Sequence, residues 1–223
     1  MITQVKKWVT DHPVWFAILF FIFYFTGFFT LEHLVTEPVY LLHCGLDDLI
    51  PFNEWFIFPY ASWFVLIPWA LITLLLFDRK NYFYLCGVMF SGMALCLLLY
   101  LIFPNGEDLR PQSIESSNLA ATFVRMIWSA DTSTNVCPSI HVASTFAIFL
   151  AVQRSRIWKH RKLVVGICSV LTVMICLSTL FLKQHSVIDV VCGIALSTAL
   201  HFVFRRTGER EQVVLCRLGE NEG

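Results

Sequence analysis

Apolar residues in this chain fall into long unbroken runs rather than the period-2 alternation of a half-buried strand or the stripe of a surface helix. Runs extend over Val14–Leu31, Tyr60–Phe77, Tyr82–Phe103, Leu163–Leu182 and Val187–Phe204. Each approaches the ~20 residues that a helix needs to cross a bilayer. A sixth run, Pro138–Val152, is short. It reads as a buried or re-entrant segment, unless it continues to about Trp158 with Arg154 and Arg156 snorkelling, which makes it long enough. The pattern predicts an all-α integral membrane bundle of six transmembrane helices. Two loops on one side are long enough to carry structure. Glu32 to Pro59 contains "LIPFNEWFIFPY", whose aromatics suit a bilayer interface. Pro104 to Cys137 contains "NLAATFVRMIWSAD", where Leu119, Phe123, Met126, Ile127 and Ala130 mark one helical face, so an interfacial helix over the bundle is expected.

Charge adds an orientation. With six spans and both termini cytoplasmic, 13 of the 16 Lys and Arg residues lie on the inner side, leaving Arg110, Arg125 and Lys183 outside. That agrees with the enrichment of basic residues in cytoplasmic loops, and removing the short fourth span would put "QRSRIWKHRK" on the wrong face. Residues 1–204 thus form one membrane domain, and 205–223 a polar cytoplasmic tail expected to be disordered. Composition is 57% hydrophobic with zero net charge, and no basic run mixes with exposed aromatics, which argues against nucleic-acid partners. The first apolar run lacks a small-residue cleavage site and reads as a retained helix. The eight Cys contain no C-x-x-C pair and read as small apolar residues, with neither a disulfide framework nor a zinc site expected.

This topology brings three polar clusters to the outer face, with Arg110, His141, His185 and Asp189 as their key members. Polar groups at membrane depth are costly and usually functional. His185 and Asp189 at positions i and i+4 of a helix share a face, so the carboxylate can hold one ring nitrogen and leave the other as an outward lone pair. That arrangement makes an imidazole nucleophilic. Pro138 suits a first helical turn, and the N–H groups of Ser139 and Ile140 at that helix end suit phosphate oxygens. His141 stands over them as a proton donor, and Arg110 can clamp the same phosphate. Each has a plainer reading: a structural His–Asp pair, an interfacial histidine, a headgroup anchor for Arg110 or Lys183, and a helix cap for Ser139.

The stretches "FPNGEDLRP", "PSIH" and "STLFLKQHSVID" resemble the type 2 phosphatidic acid phosphatase superfamily of membrane lipid phosphatases and phosphotransferases. Its signature is K-x6-R-P, then P-S-G-H, then S-R-x5-H-x3-D. The resemblance implies that Arg110 binds phosphate, that Ser139 and the local backbone hold it, and that His141 is the acid. It further implies that His185 forms a phosphohistidine and that Asp189 orients it. Phe103, Ile140 and Thr179 depart from the signature, removing two cationic ligands, one of which Lys183 is expected to replace. The reduced signature is similar to the inositol phosphorylceramide synthase branch and to bacterial members. The resemblance therefore implies a lipid phosphate or phospholipid substrate in the bilayer; the basic inner loops predict a site on the outer face of a bacterial membrane or the lumenal face of a eukaryotic one, and the compact chain favours a bacterial plasma membrane. No cofactor and no metal are expected, because the outer clusters are histidine, arginine and helix N–H groups rather than massed carboxylates. The acceptor is water or an alcohol, and the oligomeric state is open. A different reading of the same residues is a small transporter with a His185/Asp189 proton relay, although no internal repeat is visible.

Overall fold

The computed structural model describes the backbone of residues 2–220 and the side-chain surroundings of residues 4–205. Eight helices follow in order: α1 (Ile2–Asp11), α2 (Pro13–Leu34), α3 (Ile57–Phe77), α4 (Arg79–Ile102), α5 (Leu119–Ala130), α6 (Ile140–Arg154), α7 (Arg161–Phe181) and α8 (Val187–Glu220). Five of them, α2, α3, α4, α7 and the first part of α8, are long and apolar enough to cross a membrane. Each matches a run read from the sequence to within a few residues. Two features were not anticipated. One is the amphipathic α1; the other is a parallel pairing of β1 (Tyr40–Leu41) with β2 (Asn105–Gly106), which ties the two long loops together.

The sixth run behaves differently from the other five. It does not continue to Trp158: α6 stops at Arg154, and Ser155 is extended. At 1.5 Å per residue its 15 residues span about 22 Å, short of the ~30 Å hydrocarbon core. What it lacks in length it makes up in burial, because α3, α4, α7 and α8 all pack on it. Small residues permit that approach: Ala143, Ser144, Ala147 and Ala151 are all buried, as small-residue faces in membrane bundles allow. On the α8 side, Gly193 is required. A Cβ there would lie 2.9 Å from the Ser139 carbonyl oxygen.

Polar contacts define two ends of the bundle. At one, Asp78 accepts from Ser155 at 2.6 Å, Arg79 donates to the Thr10 carbonyl and Tyr82 to that of Pro13. At the other, Thr132 and Thr134 bind Glu32 and the Val35 carbonyl, and Tyr100 binds the Pro138 carbonyl.

Helix α5 forms where read, capped by Asn118, whose side chain accepts from the Ala121 N–H. Its protein-facing stripe is Ala120, Ala121 and Val124, while Leu119, Phe123 and Met126 are exposed. The narrow stripe lets α5 lie close against Ile57 and Tyr60; the bulky face points away from the bundle. Beyond Arg205 the backbone continues as helix to Glu220, and Arg, Glu, Gln and Leu are good helix formers despite their polarity. Residues 221–223 of the tail lie outside the described residues.

Candidate active site

The site is assembled at the end where α6 and α8 begin. Helix α7 terminates in a Schellman motif: the Lys183 N–H donates to Leu180 O at 3.1 Å and the Gln184 N–H to Thr179 O at 2.9 Å. Lys183 takes the left-handed position of that motif, with φ 54°, where glycine is usual. The reversal delivers His185 to the turn before α8. There Ser186 caps the helix in reciprocal fashion. Its hydroxyl accepts from the Ile188 N–H, while its own N–H donates to Asp189 Oδ2 at 2.9 Å. This is a capping box with aspartate at the third position. A carboxylate from the first long loop completes the end: Asp47 accepts from Ser186 Oγ at 2.7 Å, from the Val187 N–H at 2.8 Å and from the Cys44 N–H. Burial alone would raise the Asp47 carboxyl, but these hydrogen bonds outweigh it and hold the group below its ordinary value.

His185 and Asp189 therefore meet across a helix start rather than along a helix face. His185 Nδ1 lies 3.4 Å from Asp189 Oδ2, and both residues are buried. The other ring nitrogen, Nε2, faces His141 Nδ1 at 3.4 Å. His141 comes from the first turn of α6, which Ser139 caps through the Val142 N–H. The Ser139 N–H is not free as expected, because it donates to the Asp189 carbonyl at 3.2 Å. Gly193 permits that contact by letting α8 approach the α6 terminus. The far nitrogen of His141, Nε2, is 2.9 Å from the Tyr60 hydroxyl. Trp63 packs on the same ring at 4.5 Å between centroids and donates its indole N–H to Ser144.

A cavity of about 200 Å³ opens onto the two histidines. Its walls are mostly aromatic, with Tyr24, Phe28 and Phe29 from α2, Trp63 and Phe64 from α3, and Tyr100 from α4; Asp131 and Asn135 add polar atoms. Phe25 also lines a larger apolar groove along α2 and α3, of about 550 Å³. Burial pushes the Asp131 carboxyl up to about 6, against the opposing influence of His185 and Arg110.

Arg110 and Lys183, both expected on phosphate, are engaged elsewhere. Arg110 donates to the Asp131 and Thr132 carbonyls at 3.0 and 2.8 Å and to Gln184 Oε1 at 2.7 Å, with Glu107 3.2 Å from its Nε. It braces the loop between α5 and α6 against the His185 turn. The Lys183 ammonium donates to the Asp47 carbonyl at 2.8 Å. Asn105 clamps the same loop from the other side, accepting from the Val136 and Cys137 N–H groups and donating to the Phe103 and Cys137 carbonyls. The structure thus brings His141, Ser139, His185 and Asp189 together, with Arg110 close behind.

No signature position covers Asp47, Tyr60, Asn105 or Asp131. Asp47 and Asn105 lie in loops with no motif to flag them. The capping box was readable as S-x-x-D in "SVID", but it was overshadowed by the His–Asp spacing. Tyr60 belongs to an aromatic stretch that reads as interfacial.

The fold and this arrangement define a class: an all-helical membrane protein with a recessed histidine-carboxylate site fed by an apolar cavity. The family model described as the PAP2 superfamily matches residues 81–212, and the chain belongs to that superfamily, a grouping of phosphoesterase-type enzymes. The matched stretch contains Arg110, Ser139, His141, Lys183, His185 and Asp189, whereas Asp47 and Tyr60 lie before it. No curated protein matches this chain.

Proposed function

We propose that the protein is a lipid phosphatase or phosphotransferase that works through a phosphohistidine. His185 attacks phosphorus through Nε2, Asp189 holds the Nδ1 proton and the ring orientation, and His141 protonates the leaving oxygen. The observation that carries this reading is the 3.4 Å approach of His185 Nε2 to His141 Nδ1 at the end of an aromatic cavity. A nucleophile and a proton donor on adjacent rings are what phosphoryl transfer to and from nitrogen needs. The groove between α2 and α3 suits an alkyl tail, which favours a lipid ester. The start of α6 offers a positive dipole end to phosphate oxygens, with the Ser139 hydroxyl beside it, and Arg110 adds positive charge from behind the wall. No step in this scheme calls for a metal.

In this reading α6 is the fourth, shortened crossing, both termini are cytoplasmic, and the site faces outward. The clustering of Arg79, Arg154, Arg161 and Arg205 at the helix ends away from the histidines supports that orientation. The carrier reading has no comparable support, since the His–Asp pair is gathered at one end of the bundle.

The test incubates purified protein and its His185→Ala variant, in EDTA, with a panel of lipid phosphates, phospholipids and candidate alcohols, with products read by mass spectrometry. Free phosphate from the wild type alone is expected of a phosphatase, and a new phosphodiester of a phosphotransferase. Full activity in His185→Ala would overturn the proposal.

A further inference from the structure

Behind His141, on the side away from His185, stand two groups that the superfamily signature does not contain. The Tyr60 hydroxyl is 2.9 Å from His141 Nε2 and 3.4 Å from Asp131 Oδ2. Tyr60 is 1% exposed, and both residues line the cavity. Five side chains therefore run in series from Asp131 through Tyr60, His141 and His185 to Asp189. They come from the end of α5, from α3, from α6 and from the α8 turn.

Hydrogen-bond accounting orders the protons in this series. The Asp189 carboxylate calls for a proton on His185 Nδ1, which leaves Nε2 as a lone pair. That lone pair faces His141 Nδ1, so His141 carries its proton there and presents a lone pair at Nε2. The Tyr60 O–H fills that lone pair. With Asp131 ionised, Tyr60 donates to it across the 3.4 Å contact; in the order above the Tyr60 proton goes to His141, and Tyr60 accepts from Asp131 in its protonated form.

We propose that Tyr60 and Asp131 are positioning residues that hold His141 in its Nδ1-protonated tautomer and reload it with a proton during turnover. The proposal rests on the phosphoryl-transfer reading above. As the bond from His185 Nε2 to phosphorus forms, the phosphorus–oxygen bond to the leaving group breaks and its electron pair stays on oxygen. That oxygen takes the His141 Nδ1 proton. His141 Nε2 takes the Tyr60 proton, and the Tyr60 oxygen takes the Asp131 proton. In the second half, water attacks phosphorus and the nitrogen–phosphorus pair returns to His185. The water proton goes to His141 Nδ1, the Nε2 proton returns to Tyr60, and the Tyr60 proton returns to Asp131. The imidazole changes tautomer without becoming an imidazolium, which is costly in an apolar recess. Asp131 suits the reservoir role because burial raises its carboxyl to about 6. Facing it are Arg110 and His185, which oppose that rise, and Glu32, which adds to it, with Tyr60 and Tyr24 nearby.

The relay matters only when the leaving oxygen needs a proton, and this makes it testable. The full-length protein in detergent is assayed with dodecyl phosphate, whose alkoxide is a poor leaving group, and with 4-nitrophenyl phosphate, whose phenolate leaves unaided. Tyr60→Phe and Asp131→Asn are expected to lower kcat on dodecyl phosphate about a hundredfold, with KM changed little. Their loss on the nitrophenyl ester is expected to be smaller by roughly tenfold or more. Asp131→Glu should restore part of the alkyl rate. The wild-type alkyl rate should fall as pH rises above about 6, a limb that Asp131→Asn flattens. If Asp131→Asn does not fold, Tyr60→Phe decides alone. Equal losses on both esters would overturn the relay and leave the role of His185 intact. If the wild type turned over neither ester, the phosphoryl-transfer reading would fail and the relay with it.

Discussion

Asp47 and Ser186 are separated by 139 positions in the chain and joined by a 2.7 Å hydrogen bond. Through it, a loop outside the matched family region sets the start of α8 and hence the position of His185. The same carboxylate takes the Val187 N–H, so it both caps a helix and complements its dipole.

That bond gives a pH prediction. The Asp47 carboxyl is held below its ordinary value in the folded protein. It therefore contributes stability above the unfolded value, near 4, and loses it as pH falls through the folded value. Wild-type thermal stability in detergent should drop between about pH 5 and pH 3 more steeply than that of Asp47→Asn. At neutral pH, Asp47→Asn should cost about 1–3 kcal/mol and lower turnover by loosening the His185 turn. Parallel pH profiles of the two proteins would refute this.

Lys183 combines two opposed effects. Its left-handed backbone costs about 1–2 kcal/mol relative to glycine, while its buried ammonium contributes about 1.5–3 kcal/mol through a charged hydrogen bond. Lys183→Gly loses the bond but relieves the backbone, and Lys183→Met only loses the bond. Melting temperatures should descend in the order wild type, Gly variant, Met variant. A Gly variant less stable than the Met variant would contradict the Schellman assignment.

Asn105 satisfies both ends of its amide on the loop that leads into α6. Asn105→Ala should strand buried N–H groups at about 1–3 kcal/mol each, with a lowered melting temperature and faster proteolysis within residues 131–139. Asn105→Asp keeps the acceptors and should fall between. Unchanged proteolysis in the Ala variant would show that the loop is held by other means.

Gly193 lies where α8 meets the α6 terminus. Gly193→Ala would force its Cβ against the Ser139 carbonyl, and overpacking of this kind costs about 1–3 kcal/mol. Because that contact also joins Asp189 to Ser139, turnover should fall more than stability alone accounts for, most plainly at temperatures well below the melting point. Full turnover there would detach the contact from catalysis.

The spans were legible because hydrophobic length is a one-dimensional property, and Val14–Leu31 or Tyr82–Phe103 needs no partner to declare itself. The short α6 was harder to place, since its length is explained by neighbours that no local pattern reveals. His141, His185 and Asp189 could be picked out because their spacing within short motifs survives in the sequence. Arg110 and Lys183 matched by position or charge, yet their hydrogen bonds go to carbonyls of distant loops, and an unbonded cation cannot be told from a bonded one in a string of letters. Tyr60, Asp47 and Asn105 act only through contacts made after the chain has folded.

The aromatic wall around the histidines has a consequence for what leaves the site. Under the phosphohistidine reading, the covalent species waits in a recess that solvates it poorly, and its lifetime depends on how fast a hydroxyl arrives. The proportion of hydrolysis to transfer then gauges the local scarcity of water. An enzyme of this build could shift from cleaving headgroups to exchanging them through a change in what crosses its threshold, with every reacting atom left in place.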